Sequence, residues 1–253
     1  MTMPHTIRKK RHTWLPAVFL TLPLLVLLIL GLVPSIAAIN LALQNRVLRY
    51  SDSDYVGFAN FIRLFGDRRF LNAVQVSAIW EVVTVAGSLL VGVLLAVFLF
   101  EKVKGRTRDV IALLLIVPVL LPRVSAAFIW KFMYSPLMGI LNWLLECVGL
   151  GGTALLSDPA TALYAVALVD IWQWGLFFGA VILKLLETLP GEPLEAARLD
   201  YASTLQVYAY IALPMLKVPI MSLVFIKMVE SLRSFDLIYV MTKGGPGIST
   251  ETL

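Results

Sequence analysis

The sequence predicts an all-α polytopic membrane protein, and three observations carry that prediction. Hydrophobic residues make up 59% of the 253 positions and charged residues only 15%, against about 25% charged in ordinary soluble domains. The apolar residues come in long blocks, and roughly 20 mostly apolar residues of helix cross a bilayer. Nothing in these blocks alternates as barrel strands would. Backbone groups in lipid must be bonded within their own segment, so the blocks read as helices.

Five spans are expected, at about Leu15–Asn40, Val74–Phe100, Val110–Met133, Ala160–Leu186 and Leu213–Tyr239. The first follows the basic cluster Arg8, Lys9, Lys10 and Arg11. It is too long for the apolar core of a cleaved signal, so residues 1–13 read as a retained tail. Pro118 and Pro122 should kink the third span, which neighbours can tolerate by bonding the freed backbone groups. Ser157-Asp158-Pro159 suits the start of the fourth. Gly175 and Gly179 form a GxxxG pair that lets a second helix approach closely. The fifth span is interrupted by Lys217, Lys227, Glu230, Arg233 and Asp236.

The net charge of +5 fits basic loops held on the cytoplasmic side better than a nucleic-acid surface. The loop Glu101–Asp109 carries Lys102, Lys104, Arg106 and Arg108. With the N-terminal tail inside, this loop and the stretch 189–211 are inside as well. The opposing signal is the first outer loop, where Arg46, Arg49, Arg63, Arg68 and Arg69 are interleaved with Asp52, Asp54 and Asp67.

Several chemistries have no residues to support them. There is no phosphate-binding GxxxxGK[ST] loop, so the chain is not expected to hydrolyse ATP itself. Both histidines, His5 and His12, sit in the tail. HExxH and GxSxG are absent, and the single cysteine, Cys147, excludes a disulfide framework. No catalytic, cofactor-binding or metal-binding residues are expected. Ionisable residues inside spans are costly and point to function. Arg123 and Asp170 are expected to pair, either to fix helix register or to line a transport path. Glu81 and Asp170 lack any motif that would make them a catalytic dyad. Trp172 and Trp174 suit either sugar stacking or plain packing, and Phe235, Asp236 and Tyr239 join the candidate path. Lys184 and Lys217 are expected to snorkel from span ends.

The segment from Glu195 reads E-A-A-R-L-D-Y-A-S-T-L-Q-V-Y-A-Y-I-A-L-P. It resembles the EAA loop of binding-protein-dependent ABC importer permeases, the sugar type that handles maltose or glycerol 3-phosphate. Glu195, Ala196, Ala197, Asp200, Ala202, Ile211, Leu213 and Pro214 match the motif, and Tyr201 stands where the family has glycine. Read physically, Pro193 opens a short helix with Glu195 at its positive end. The small pair Ala196 and Ala197 then leaves room for another surface. The expectation at Tyr201 is a backbone that stays right-handed. Three further stretches are similar to the same family: Val56-Gly57-Phe58-Ala59-Asn60-Phe61, Gly139-Ile140-Leu141-Asn142, and Phe235-Asp236-Leu237-Ile238-Tyr239 with Gly244-Gly245-Pro246.

The resemblance implies a helical permease bundle over residues 14–253 in the bacterial inner membrane, with its N-terminus cytoplasmic. It implies a second permease subunit, two cytoplasmic ATPases that bind the ATP, and an extracytoplasmic solute-binding protein. No nucleic acid is expected. Coupling to the ATPase would fall to Glu195, Ala196, Ala197, Arg198, Asp200, Tyr201, Ala202, Leu213 and Pro214. The family core has six spans, so a further span is expected beyond Leu253. A secondary transporter is the alternative. It would show inverted repeats and ion-coordinating broken helices, neither of which the sequence displays, and it would leave the EAA segment unexplained.

Overall fold

The computed structural model describes residues 14–46, 53–147, 149 and 154–253. The tail with Arg8–Arg11, His5 and His12, and the loop residues Arg49 and Asp52, lie outside them. The chain divides into two compact units, Met1–Asp67 and Arg68–Leu253.

In the first unit, α1 (Trp14–Ala42) is a span, apolar on every face. Pro23 and Pro34 lie within it. A short antiparallel hairpin follows, β1 (Gln44–Arg46) on β2 (Ser53–Tyr55), with Gln44 opposite Tyr55. Gly57 then takes φ +56°, a left-handed turn open to glycine, and leads into α2 (Ala59–Leu64). Asn60 Nδ2 donates to the carbonyls of Ala42, at 2.9 Å, and Gln44, at 3.0 Å. The Gly-x-x-Asn spacing of the sequence is therefore a turn followed by a cap. The amide satisfies the carbonyl that the end of α1 leaves free at Ala42 and bonds that of Gln44 at the start of β1.

The second unit is organised on two uninterrupted helices, α3 (Arg68–Lys102) and α7 (Ala162–Glu187). Every fourth residue of α3 from Val76 is buried, through Trp80, Thr84, Ser88, Gly92 and Ala96. Such a ridge packs into the groove of a neighbouring helix. The seam is close because both helices place glycine on it. A Cβ on Gly175 would lie 3.0 Å from Val91, and one on Gly179 would lie 2.9 Å from Leu95. The GxxxG pair thus has its packing role, against α3.

The other two predicted spans are broken rather than continuous. α4 (Gly105–Leu120) and α5 (Arg123–Met133) meet at 94°, a corrected reading of the expected kink. Pro122 has no N–H to continue the ladder and keeps Leu121 extended. Gln173 of α7 donates to the carbonyls of Pro118, at 2.8 Å, and Leu121, at 3.3 Å. The Pro118 carbonyl also accepts the Leu121 N–H at 3.3 Å, so it is the Leu121 carbonyl that relies on Gln173 for satisfaction in lipid.

The expected fifth span also divides. After α8 (Gly191–Leu199), α9 (Thr204–Val207) passes through a π turn (Tyr208–Ala212) into α10 (Leu213–Met215). The segment Thr204–Met215 bends 79° into α11 (Lys217–Ser231), and α12 (Phe235–Thr242) follows separately. Pro214 withholds the N–H that an α-helix would need at that point, and a π turn is one way of accommodating the gap.

Between the broken span and α7, α6 (Ile140–Cys147) begins directly after Gly139, whose missing Cβ admits the backbone of Met133 and Ser135. Asn142 Nδ2 closes this turn on the Pro136 carbonyl at 3.0 Å. The fourth span begins at Ala162, so Asp158 and Pro159 lie in the turn before it. There Asp158 Oδ1 accepts from the Ala160 N–H at 3.0 Å. Two apolar clusters make the core. One gathers Trp80, Tyr134, Val166, Val169 and Leu237, and the other Phe178, Ile182, Leu186, Leu194, Val207 and Leu216. On α7 the stretch between them carries Asp170 and Gln173.

Candidate functional site: a buried charge hub and an exposed loop

Asp170 is the polar centre of α7. Its Oδ2 lies 2.5 Å from Lys227 Nζ of α11, with the two side chains 1% and 0% exposed. Its Oδ1 lies 3.5 Å from Arg123 Nη2 of α5. The predicted Arg123–Asp170 pair is present, but Lys227 is the closer partner. Arg123 also reaches Glu230 at 3.5 Å and donates to Ser234 Oγ at 2.9 Å. As the first residue of α5, Arg123 stands at the end of the helix dipole that disfavours a cation. The two carboxylates offset that placement.

α3 closes the hub. Trp80 Nε1 donates to the Ser231 carbonyl at 3.2 Å, and Thr84 and Ser231 share a hydroxyl contact at 2.9 Å. Lys227 also sits over the ring of Trp174, 5.3 Å from its centroid. Glu81 carries two buried carboxylate oxygens with no hydrogen-bond partner among the described residues. A buried charge is tolerated when paired and strongly destabilising when its partner is removed. One acid on the continuous helix therefore holds both broken spans.

The remaining path candidates fall in different settings. Trp172 packs edge-on against Trp130 at 5.4 Å, and Trp174 against Phe177 at 5.7 Å. Phe235 and Tyr239 stack at 5.2 Å on the exposed side of α12. With Arg69, Lys243 and Glu251 they line a cavity of about 270 Å³. Asp236 is exposed nearby in the chain. In the sequence Lys227 and Glu230 stand only as interruptions of the fifth span. Their spacing of three residues puts them on one helix face but does not point to Asp170 on another helix.

The EAA segment forms the second element of the site. α8 starts at Gly191, so the acid in its first turn is Glu192 rather than Glu195, and Pro193 lies inside that turn. At its other end the Ala202 N–H reaches the Ala197 carbonyl at 3.0 Å and the Tyr201 N–H reaches that of Arg198 at 3.2 Å. This bond pair is the Schellman arrangement, which needs a left-handed residue. Tyr201 supplies it with φ +58°. The expectation of a right-handed backbone is overturned, because the turn that a glycine would make is kept with a tyrosine. The cost is about 1–2 kcal/mol.

Ser203 then caps α9 reciprocally with Gln206, its N–H donating to Gln206 Oε1 at 2.8 Å. Arg198 pairs with Glu101 at the end of α3, and Tyr208 Oη donates to the same carboxylate at 2.6 Å. Ala197 and Ala202 turn inward against the apolar cluster of Leu194 and Val207. The surface outward of them carries Glu195, Ala196, Leu199, Asp200, Tyr201 and Leu205. Of the small pair, only Ala196 is free for another surface. Leu213 and Pro214 stand away from this surface, at the elbow into α11.

The broken helix pairs, with the long apolar helices, make three to five candidate membrane spans, and ionisable residues buried within such spans point to a functional site in a multi-span membrane protein. Residues 88–252 match the family described as binding-protein-dependent transport system inner membrane component, and the chain belongs to that family. It is 30% identical to the trehalose/maltose transport system permease protein MalF of Thermococcus litoralis, over 92% of this chain and 78% of that one. It is 36% identical to a probable ABC transporter permease protein of Pyrococcus horikoshii, over 79% of this chain and 68% of the relative. The fold matches a chain of the bacterial alginate ABC transporter solved with an alginate pentasaccharide-bound periplasmic protein. That match has a TM-score of 0.77 at 22% identity, covering 94% of this chain and 79% of the other. The protein is a multi-pass permease of this family.

Proposed function

We propose that the chain is one of two membrane subunits of an ATP-driven importer for a sugar or related solute, coupled to a cytoplasmic ATPase through residues 189–211. The observation that carries this reading is the loop itself. It is a capped, internally braced two-helix turn that leaves Ala196, Leu199, Tyr201 and Leu205 outward, next to the bent helix that leads to the charge hub. In this reading, movement imposed on the loop passes to α11 and, across the Lys227–Asp170 pair at 2.5 Å, to α7. The other members of the assembly are a second permease subunit, two ATPases that bind the ATP, and an extracytoplasmic solute-binding protein. The N-terminus and the loop are cytoplasmic in this reading. Names of relatives support a saccharide as cargo, MalF being a trehalose/maltose permease.

The test is reconstitution of the four kinds of subunit in vesicles with a panel of sugars. Uptake, or ATP hydrolysis stimulated by the loaded binding protein, should appear with at least one saccharide. Uptake that persists without ATP, driven by an ion gradient, would overturn the reading.

A further inference from the structure

The turn at position 201 calls for a left-handed residue, but nothing inside the chain calls for that residue to be a tyrosine. It holds φ +58° with its residue 96% exposed. Glycine is the residue that adopts this conformation without crowding. Strain kept at a bulky residue persists only where something else over-determines it, and such outliers gather at functional sites.

The turn beneath Tyr201 is held firmly. The Schellman bonds close it, the Ser203–Gln206 box follows it, and Arg198 and Tyr208 both bind Glu101. The ring is thus presented on a braced platform. Leu199 and Leu205, 80% and 79% exposed, flank it in the chain. The same stretch of chain carries the exposed acids Glu192, Glu195 and Asp200. The one base among them, Arg198, is engaged by Glu101. Large, rigid aromatics centred in an apolar patch with a charged rim are what interface anchors are made of.

We propose that Tyr201 is the anchor with which the loop docks on the ATPase subunit. It enters an apolar pocket whose rim is basic, and it sets which ATPase the permease accepts. This rests on the reading of residues 189–211 as the coupling element. The permease gives up conformational ease at one residue and gains a pre-organised aromatic contact.

The experiment uses the complete complex, with the permease pair tagged and the ATPase titrated against it. Tyr201→Gly relieves the crowding, so the thermal midpoint of the permease pair should stay at or above wild type. The dissociation constant for the ATPase should nevertheless rise at least ~10-fold, and Tyr201→Phe should change it by less than about threefold. A Tyr201→Gly complex that binds the ATPase as wild type does would overturn the anchor. So would one that binds the ATPase normally but loses the second permease, or a Tyr201→Phe loss as large as that of Tyr201→Gly. Ala196→Trp separates this from the underlying reading. If it weakens the ATPase while Tyr201→Gly does not, the coupling loop stands and the anchor falls. If neither variant weakens it, both fall.

Discussion

Lys227 and Asp170 meet at 2.5 Å with both side chains essentially out of contact with solvent. At such a site the two single neutralisations should be far more damaging than the double one. Asp170→Asn leaves an ammonium buried without its counter-charge, a loss of roughly 3–5 kcal/mol. Lys227→Met leaves the carboxylate with Arg123 at 3.5 Å and should be milder. Asp170→Asn combined with Lys227→Met should recover a large part of the stability. Thermal unfolding of the detergent-solubilised complex measures all three. If the double variant is as unstable as the sum of the singles, the pair is not coupled. At the same scale, Tyr201→Gly should raise the stability of the loop by about 1–2 kcal/mol by removing left-handed crowding. Hydrogen exchange of residues 191–207 reads that gain. Lys227 was invisible as a partner in the sequence because pairing between α7 and α11 depends on how two helices far apart in the chain are placed. Tyr201 was named as a departure, but its φ could not be read from its identity. The braced turn around it imposes a conformation that its own preference opposes.

Two elements are broken where the sequence suggested a kink and a continuous helix. The bend of 94° at Leu121–Pro122 leaves carbonyls that Gln173 binds at 2.8 and 3.3 Å. Gln173→Leu should therefore cost about 1–3 kcal/mol through the Leu121 carbonyl left without its donor, the Pro118 carbonyl keeping the Leu121 N–H, although leucine suits the lipid better than glutamine. A variant as stable as wild type would mean that another group, such as water, satisfies the Leu121 carbonyl. The α3–α7 seam makes a graded prediction. A Cβ on Gly92 would fall on Phe178 and within 3.1 Å of the Gly179 backbone nitrogen. One on Gly175 would meet only the Val91 side chain at 3.0 Å and a carbonyl at 3.6 Å. Gly92→Ala should thus destabilise the complex more than Gly175→Ala, the former by about 1–3 kcal/mol as overpacking does. Equal midpoints for the two would contradict the seam described. Pro118, Pro122, Gly175 and Gly179 were legible, whereas Gly92 on the seam and the break after Pro214 were not. What the prolines could not convey was angle, because a proline removes a bond without dictating how far the chain turns.

For the whole molecule, the proposed topology places a reporter fused after Ser203 in the cytoplasm and one within residues 53–67 outside. The opposite pattern would reverse the chain in the membrane and remove the coupling loop from any cytoplasmic partner. Composition and block length were enough to establish a membrane class, because hydrocarbon admits few alternatives to long apolar helices. The spacing of Glu195, Ala196, Ala197 and the downstream Ile211-x-Leu213-Pro214 pointed to the permease family, since a fixed local motif survives in the linear text. The inward turn of Ala197 and the outward turn of Ala196 were decided by the cluster of Leu194, Val207 and Leu216 on which the loop rests. The pairing of Asp170 with Lys227, the breaks around α7 and the left-handed Tyr201 belong to the same category. Each depends on which distant segment lies against a residue, and that is settled by packing in three dimensions rather than by the residue or its neighbours in the chain.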